Sequence, residues 1–220
     1  MLSWEKKAFL NGASLIIGVD EAGRGPLAGP VVAGATALKP HPLDKFSVPA
    51  YNTVIDDSKK LSPSQREKAF KELSKKTLCF VGVKSHSFID KNNIYQATLA
   101  AMKAAVTGLV RDFCAINKKR IKDIRKNTWV LVDGNAAPDL PYKTVPIIKG
   151  DSKSLSIAAA SIVAKVTRDR MMDLYDKKYP VYGFSRHKGY GTRFHVEAIQ
   201  KYGACPIHRK TFAPIRQDGY

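Results

Sequence analysis

The sequence predicts a layered domain of the α/β or α+β class, with elements in the order β-β-(α)-β-α-β-β-α and a tail. Three observations carry that reading. Short apolar runs rich in β-branched residues punctuate the chain, capping-box patterns precede two helical stretches, and a long alanine-rich segment follows the last strand. Ser14-Leu-Ile-Ile-Gly-Val-Asp20 reads as a buried strand and Pro30–Leu38 as a second. Lys39–Ser58, with three prolines, reads as a loop. Ser62 as N-cap, Pro63 at the first helical position and Gln65 closing the box start a helix that runs to about Lys76. Cys79–Lys84 is a third strand.

Asn93-Ile-Tyr-Gln96 is a second capping box. The helix after it has an apolar stripe of Ile94, Ala97, Ala101, Ala105, Leu109, Phe113 and Ile116. The basic stretch Asn117–Asn127 reads as a loop that adds phosphate affinity, leading into the strand Trp129–Asp133. Thr144–Lys149 is a fifth strand, and Pro146 argues for an edge position because it cannot donate to a ladder. Leu155 to about Lys178 is a helix with Ile162, Val166 and Leu174 on one stripe, ended by Pro180. A short helix falls near Phe194–Tyr202.

Composition narrows the function classes. The 220 residues hold 44% hydrophobic and 25% charged side chains, those of a globular chain, and a formal net charge of +18. Such an excess attracts polyanions, nucleic acids first among them. The beginning of the chain shows no secretory signal, and no run reaches the ~18 apolar residues that span a bilayer. Cys79, Cys114 and Cys205 are odd in number and widely spaced, which fits neither a disulfide framework nor a zinc cage. A cytoplasmic protein with idle thiols is expected.

Acids are scarce, so their places are informative. Asp20 and Glu21 end the first strand, Asp133 ends the fourth, and Asp151 lies just past the fifth. Open sheets place ligand sites beyond the C-terminal ends of their strands. If the first and fourth strands are neighbours, Asp20 and Asp133 stand side by side. Clustered carboxylates repel, which a divalent cation relieves, and all-oxygen ligation suits Mg²⁺ or Mn²⁺. Two such ions ~4 Å apart drive in-line displacement at a phosphodiester. Any one of these acids could instead be a turn former or N-cap; four of them at three strand ends in a basic chain favour the metal reading.

Gly23-Arg24-Gly25-Pro26-Leu27-Ala28 formally fits a dinucleotide fingerprint, yet Pro26, Gly29 and Pro30 lead into strand chemistry where that fingerprint opens a helix. A strand-to-strand turn with exposed amides beside the acids fits better. The tail interleaves Arg186, Lys188, Arg209 and Lys210 with glycine and aromatic residues, as a nucleic-acid groove would. His187 and His195 lack metal-ligand companions and read as structural residues or phosphate contacts. Asp169 reads as a salt-bridge partner.

Taken together, Gly18–Pro30, Asp57-Ser-Lys-Lys-Leu-Ser62, Ile94-Tyr-Gln-Ala-Thr98, Val132-Asp-Gly134, Lys149-Gly-Asp-Ser152, Ala158–Asp169, Tyr182–Thr192 and His208–Pro214 resemble bacterial ribonuclease HII, the type 2 ribonucleases H. The resemblance spans essentially the whole chain. It implies an RNase H-like fold, a mixed five-stranded sheet flanked by helices, as a catalytic domain over residues 1–178. A helical C-terminal extension over 179–220 would complete the substrate groove. It implies a monomeric, metal-dependent endonuclease that cuts the RNA strand of RNA–DNA hybrids and incises duplex DNA 5′ of embedded ribonucleotides, leaving 3′-hydroxyl and 5′-phosphate ends, as in ribonucleotide excision repair. It also implies that Asp20, Glu21, Asp133 and Asp151 hold two Mg²⁺ or Mn²⁺ ions. Gly23, Arg24 and Gly25 would read the 2′-hydroxyl and phosphate at the RNA–DNA junction. Tyr190 would pack on the following deoxyribose and Lys59 would contact a backbone phosphate. Contact with a replication clamp is left open. The start of the first strand about fourteen residues into the chain disfavours the type 3 relatives, which carry an N-terminal domain. Two alternatives are a non-catalytic basic nucleic-acid-binding protein, which would bind hybrid regardless of EDTA, and another two-metal nuclease of the same fold, which would cut branched all-DNA substrates.

Overall fold

The computed structural model describes residues 1–38 and 50–215. The first part of the expected Lys39–Ser58 loop and the last residues of the tail lie outside that range. Five strands form one sheet in the order β3-β2-β1-β4-β5. They are β1 (Leu15–Ala22), β2 (Val31–Leu38), β3 (Leu78–Lys84), β4 (Thr128–Asp133) and β5 (Lys143–Ile147). β2 runs antiparallel to β1 and β3, whereas β1, β4 and β5 are parallel, so the sheet is mixed. β5 with Pro146 is an edge strand, as its missing N–H requires. No helix among the described residues is long and apolar enough to cross a membrane.

The alternation of side chains along β1 sorts two cores. Leu15, Ile17 and Val19 join Val130 and Val132 of β4 under α3 (His86–Ile116), where Ala97, Ala101, Ala105 and Leu109 close the layer. Ile16 joins Trp129, Leu131 and Ile157 on the opposite face, under α5 (Leu155–Lys178). The alanine content of α5 has a packing cause. A Cβ on Gly18 would stand 2.0 Å from the Ser156 carbonyl carbon, and one on Gly34 would stand 2.4 Å from the Ala160 oxygen. Helix backbone therefore rests directly on sheet backbone, which only small residues permit.

α2 (Pro63–Lys76) starts with the expected capping box: the Gln65 amide donates to the Ser62 hydroxyl and the Ser62 amide to the Gln65 side chain. The Asn93 capping site is also present, the Gln96 amide donating to Asn93 Oδ1 at 3.0 Å. A helical turn precedes it, however, joined through Asn93 at φ 64°, so α3 begins at His86. Other expectations need correction. Ile116 and Leu174, placed on buried stripes, are exposed: each lies in the closing turns of its helix, past the last buried residue, Cys114 in α3 and Met172 in α5. The fifth strand stops at Ile147, since Lys149 takes a left-handed conformation. The Asn117–Asn127 stretch is not a plain loop: it contains α4 (Ile121–Ile124) and a 3₁₀ turn, with Ile124 buried as the anchor. It also joins β4 at Thr128, the end opposite Asp133, which removes it from the carboxylates.

No local pattern marks α1 (Ser3–Leu10) as a packing element, and its Glu5 is fully buried. Glu5 Oε1 accepts from the Ser154 hydroxyl at 2.6 Å, the Ser156 amide at 2.9 Å and the Ser156 hydroxyl at 2.8 Å. A carboxylate at the start of α5 satisfies orphan donors and complements the helix dipole. The tail holds α6 (Phe184–His187) and α7 (Arg193–Tyr202); Phe184 and Ala198 of these helices, with Tyr182 before them and Ile207 after, pack against Ala28 and Met172.

Candidate active site

The strand alternation that sorts the cores also sorts the acids. Asp20 follows the parity of Ile16 and Gly18 and faces α5; Glu21 follows Val19 and faces α3. Asp133 follows Trp129 and Leu131 onto the α5 side. The β1–β4 register pairs Val19 with Val132, so Asp20 and Asp133 are the next positions on adjacent parallel strands. Asp133 Oδ1 accepts from the Gly150 amide at 2.6 Å and so draws in the turn that carries Asp151. A Cβ at Gly150 would stand 2.6 Å from Ile157 Cδ1, so a side chain there would have to push that methyl aside. One carboxylate oxygen each from Asp20, Asp133 and Asp151 then lies within 4.8 Å of the others. Glu21 stands outside this triad and forms an ion pair with Arg24 at 3.2 Å, while Lys59 reaches Asp151 at 3.4 Å.

The electrostatics are those of a site that lacks positive charge. Burial pushes Asp20 well above the ordinary carboxylate range, and Glu21, Asp133 and Asp151 push it further; the Glu21 amide opposes. Burial also raises Glu21, against the pull of Arg24. Asp151 is raised by burial and by Asp133 and Asp57, with Lys59 opposing. Burial works to lower Lys59, but Asp151, Asp20 and Asp57 together carry its ammonium above its usual value. A hard divalent cation is the chemical answer to such a donor set: all-oxygen, partly desolvated and mutually repelling. The residues present fit that group.

Two clefts meet at these acids. One, of about 220 Å³, is lined by Asp20, Gly23, Lys59, Lys165 and Tyr190. The other, of about 310 Å³, lies between α3 and the end of β4 and is lined by Tyr95, Thr98, Leu99 and Asn135. Glu21, Arg24 and Asp133 border both. Gly23–Gly25 forms the strand-to-strand turn expected from its prolines, with Gly23 at φ +94°. The Tyr190 ring, half exposed, lies against Gly25, 3.6 Å from where a Cβ would be. The predicted site residues thus come together from five separate parts of the chain.

Sequence reasoning missed the two residues that hold the turn. Arg168 and Arg209 are almost completely buried without a carboxylate partner. Arg168 donates to the carbonyls of Pro30, Lys188 and Ala28 at 3.0–3.2 Å. Arg209 donates to Gly29, Arg24, Gly23 and Pro30 at 2.6–3.3 Å. A guanidinium fork is suited to gathering several carbonyls at fixed angles. A signal existed for Arg168, which falls on the buried stripe Ile157, Ser161, Ala164, Arg168, Met172 at three- and four-residue steps. None existed for Arg209. Asp169 is the ion-pair partner expected of it, 2.7 Å from Lys165. His187 and His195 belong to a ring cluster with His208 and Phe184.

The family model described as Ribonuclease HII matches residues 17–215. The Ribonuclease HII of Ruminiclostridium cellulolyticum is 50% identical over 213 residues, covering 96% of this chain and 75% of that protein. Among solved structures, the ribonuclease H2 from Pyrococcus horikoshii OT3 superposes with a TM-score of 0.67 at 26% identity, covering 92% of this chain and 95% of that one. Bst-RNase HIII in complex with Mn²⁺ gives 0.66 at 17% identity, covering 94% and 70%, a likeness of fold.

Proposed function

The chain belongs to the ribonuclease HII family, endoribonucleases that act on RNA–DNA hybrids, and from that premise we propose that it also incises duplex DNA on the 5′ side of embedded ribonucleotides. The observation that carries this reading is the abutment of two features: a largely buried carboxylate triad, and a glycine turn with the Tyr190 ring laid against it. The first suits phosphodiester hydrolysis and the second suits selection of one sugar.

Asp20, Asp133 and Asp151, with Glu21 at their edge, would hold Mg²⁺ or Mn²⁺. When bound, such ions stabilise charge on the scissile phosphate and lower the pKa of water. The chain's own groups do the rest. The Gly23–Gly25 turn lets backbone approach the ribose closely, and its polar groups meet the 2′-hydroxyl that distinguishes RNA from DNA. Arg24 lies beside Glu21 and is placed to hold the adjoining phosphate. Tyr190 offers a flat apolar face to the next deoxyribose, where a 2′-hydroxyl would be crowded. Lys59 contacts a phosphate and at rest offsets Asp151. Residues 179–220 act as an extension that completes the groove around the catalytic domain, and the enzyme works as a cytoplasmic monomer in removing ribonucleotides from DNA.

The test is a duplex carrying one ribonucleotide, incubated with Mg²⁺ or Mn²⁺ beside an all-DNA duplex and an EDTA control. A single metal-dependent cut 5′ of the ribonucleotide, with 3′-hydroxyl and 5′-phosphate ends, is expected. Intact protein that cleaves a long hybrid and leaves this duplex whole refutes the proposal.

A further inference from the structure

The tail contains a buried pair of histidines for which the reaction itself has no use. His195 and His208 are 0% and 1% exposed, and their Nε2 atoms stand 3.1 Å apart. Their tautomers follow from their neighbours. His195 Nδ1 lies 2.9 Å from the Tyr190 carbonyl, which can only accept, so the proton sits on Nδ1 and Nε2 is bare. Two nitrogens at 3.1 Å need one hydrogen between them, so His208 carries its proton on Nε2. Its Nδ1 then accepts from the Cys205 amide at 2.9 Å; the Cys205 carbonyl, 3.2 Å from the same nitrogen, takes its hydrogen from the His208 amide at 3.0 Å instead. Every donor meets an acceptor in one direction: Cys205 amide to His208, His208 to His195, His195 to the Tyr190 carbonyl. The Thr192 amide uses that carbonyl's other lone pair at 2.8 Å.

The starting end of this chain is stitched to the glycine turn. His208 pairs with Ala28 in an isolated antiparallel bridge. The Arg209 amide donates to the Leu27 carbonyl at 2.8 Å, and the Gly29 amide to the Ile207 carbonyl at 2.9 Å. The next guanidinium along, that of Arg209, gathers the Gly23 and Arg24 carbonyls. The far end is Tyr190, whose ring faces the same turn across the space a Gly25 side chain would take.

We propose that His208 and His195 form a one-directional hydrogen-bond relay that fixes the Tyr190 ring relative to the Gly23–Gly25 turn, which makes them positioning residues for ribonucleotide recognition. The inference rests on the reading that the turn and Tyr190 contact substrate. A second proton on either ring would set two N–H groups face to face and break the relay. The site resists this. Burial holds His195 down at about 4, the facing rings of His187 and His208 add to the effect, and the bond to Tyr190 opposes it. His208 is lowered by burial and by His86, with the Cys205 backbone opposing. The remaining charged group next to His208 in the chain, Arg209, is turned to the carbonyls of the glycine turn.

The experiment compares His195→Phe, His195→Asn and Tyr190→Ala on the duplex with one embedded ribonucleotide. Phenylalanine keeps the edge contact with Phe184 and removes both bonds; asparagine keeps a donor for the Tyr190 carbonyl. Expected is a rise in KM of about tenfold for His195→Phe, what the loss of one such bond amounts to, with kcat within about threefold and most of the loss recovered in His195→Asn. A His195→Phe enzyme with unchanged KM, or one that loses kcat alone, overturns the relay if Tyr190→Ala is impaired. A Tyr190→Ala enzyme that incises normally overturns the substrate-contact reading and the relay with it. Imidazole ¹⁵N spectra of the unmodified protein decide independently of variant folding: Nδ1–H on His195 and Nε2–H on His208 are required, and any other tautomer pair refutes the proposal.

Discussion

The two ends of the β1–β4 pair carry the chain's two conspicuous charge clusters and treat them in opposite ways. At the C-terminal end Asp20 and Asp151 are 95% buried and pushed up in pKa, with Lys59 paired to Asp151 and Arg24 to the adjoining Glu21. At the other end Lys118, Lys119, Arg120, Lys122, Arg125 and Lys126 all stand exposed, and Ile124 alone in that run is buried. Five strand steps of ~3.3 Å separate the two, about 16 Å, which exceeds the ~10 Å screening length at 0.1 M salt. In sequence both clusters look like functional charge. Only the first is desolvated, and desolvation is what makes a charge costly to leave unpaired and potent once paired.

The contrast can be broken at its strong end first. Asp20→Asn is expected to lower hydrolysis by at least about 10²-fold, comparable to deleting one preorganised charge-stabilising group. It also removes a repelling charge, so the metal-free variant should melt higher than the wild type in calorimetry. Retained activity would dissolve the distinction between the two ends. Arg209→Lys comes next. A single ammonium cannot serve carbonyls on Gly23, Arg24, Gly29 and Pro30 at once, and leaving two of them unpaired should destabilise the fold by about 2–4 kcal/mol in urea titration.

A smaller effect comes from pH. His195 titrates at about 4 when folded, below its ordinary 6.5. The unfolded chain therefore takes up the proton first, and stability rises with pH between those values. The advantage of keeping this ring neutral is complete above about pH 6.5 and drains away as pH falls toward 4. The difference in unfolding free energy between wild type and His195→Asn should track that window; a flat difference would show that the ring titrates normally. The smallest effect is expected at the exposed end. Replacing Lys118, Lys119 and Lys122 together by glutamate should change kcat and KM by less than about twofold at 0.1 M salt, given the screening distance. A larger change in KM would mean that the far end touches substrate after all.

How far the site was legible follows from the range of each cause. The capping box at Ser62, the capping side chain of Asn93 and the period-two alternation in β1 are local, so they read directly from the chain. Asp20, Asp133 and Asp151 were found because each ends or follows an apolar run. Their convergence depended on β1 lying beside β4, an assumption that the sheet order satisfies. α1 escaped notice because Glu5 looks like an ordinary surface acid until Ser154 and Ser156, some 150 residues away, close around it. Arg209 escaped for the same reason, since an arginine in a basic tail does not reveal that four carbonyls wait for it. The basic stretch misled in the other direction: charge density is visible in sequence, and distance from the acids is not.

The sequence by itself determined the five strands, most of the helices, the places of the carboxylates and the family, because periodicity, capping and motif spacing are properties of neighbours along the chain. Tertiary structure alone decided which charges are stripped of water, which arginines and histidines hold the glycine turn, and which basic run stands clear of the site. Those outcomes depend on burial and on hydrogen bonds between residues more than a hundred positions apart, such as Arg209 with Gly23 and Glu5 with Ser156. No local pattern records them.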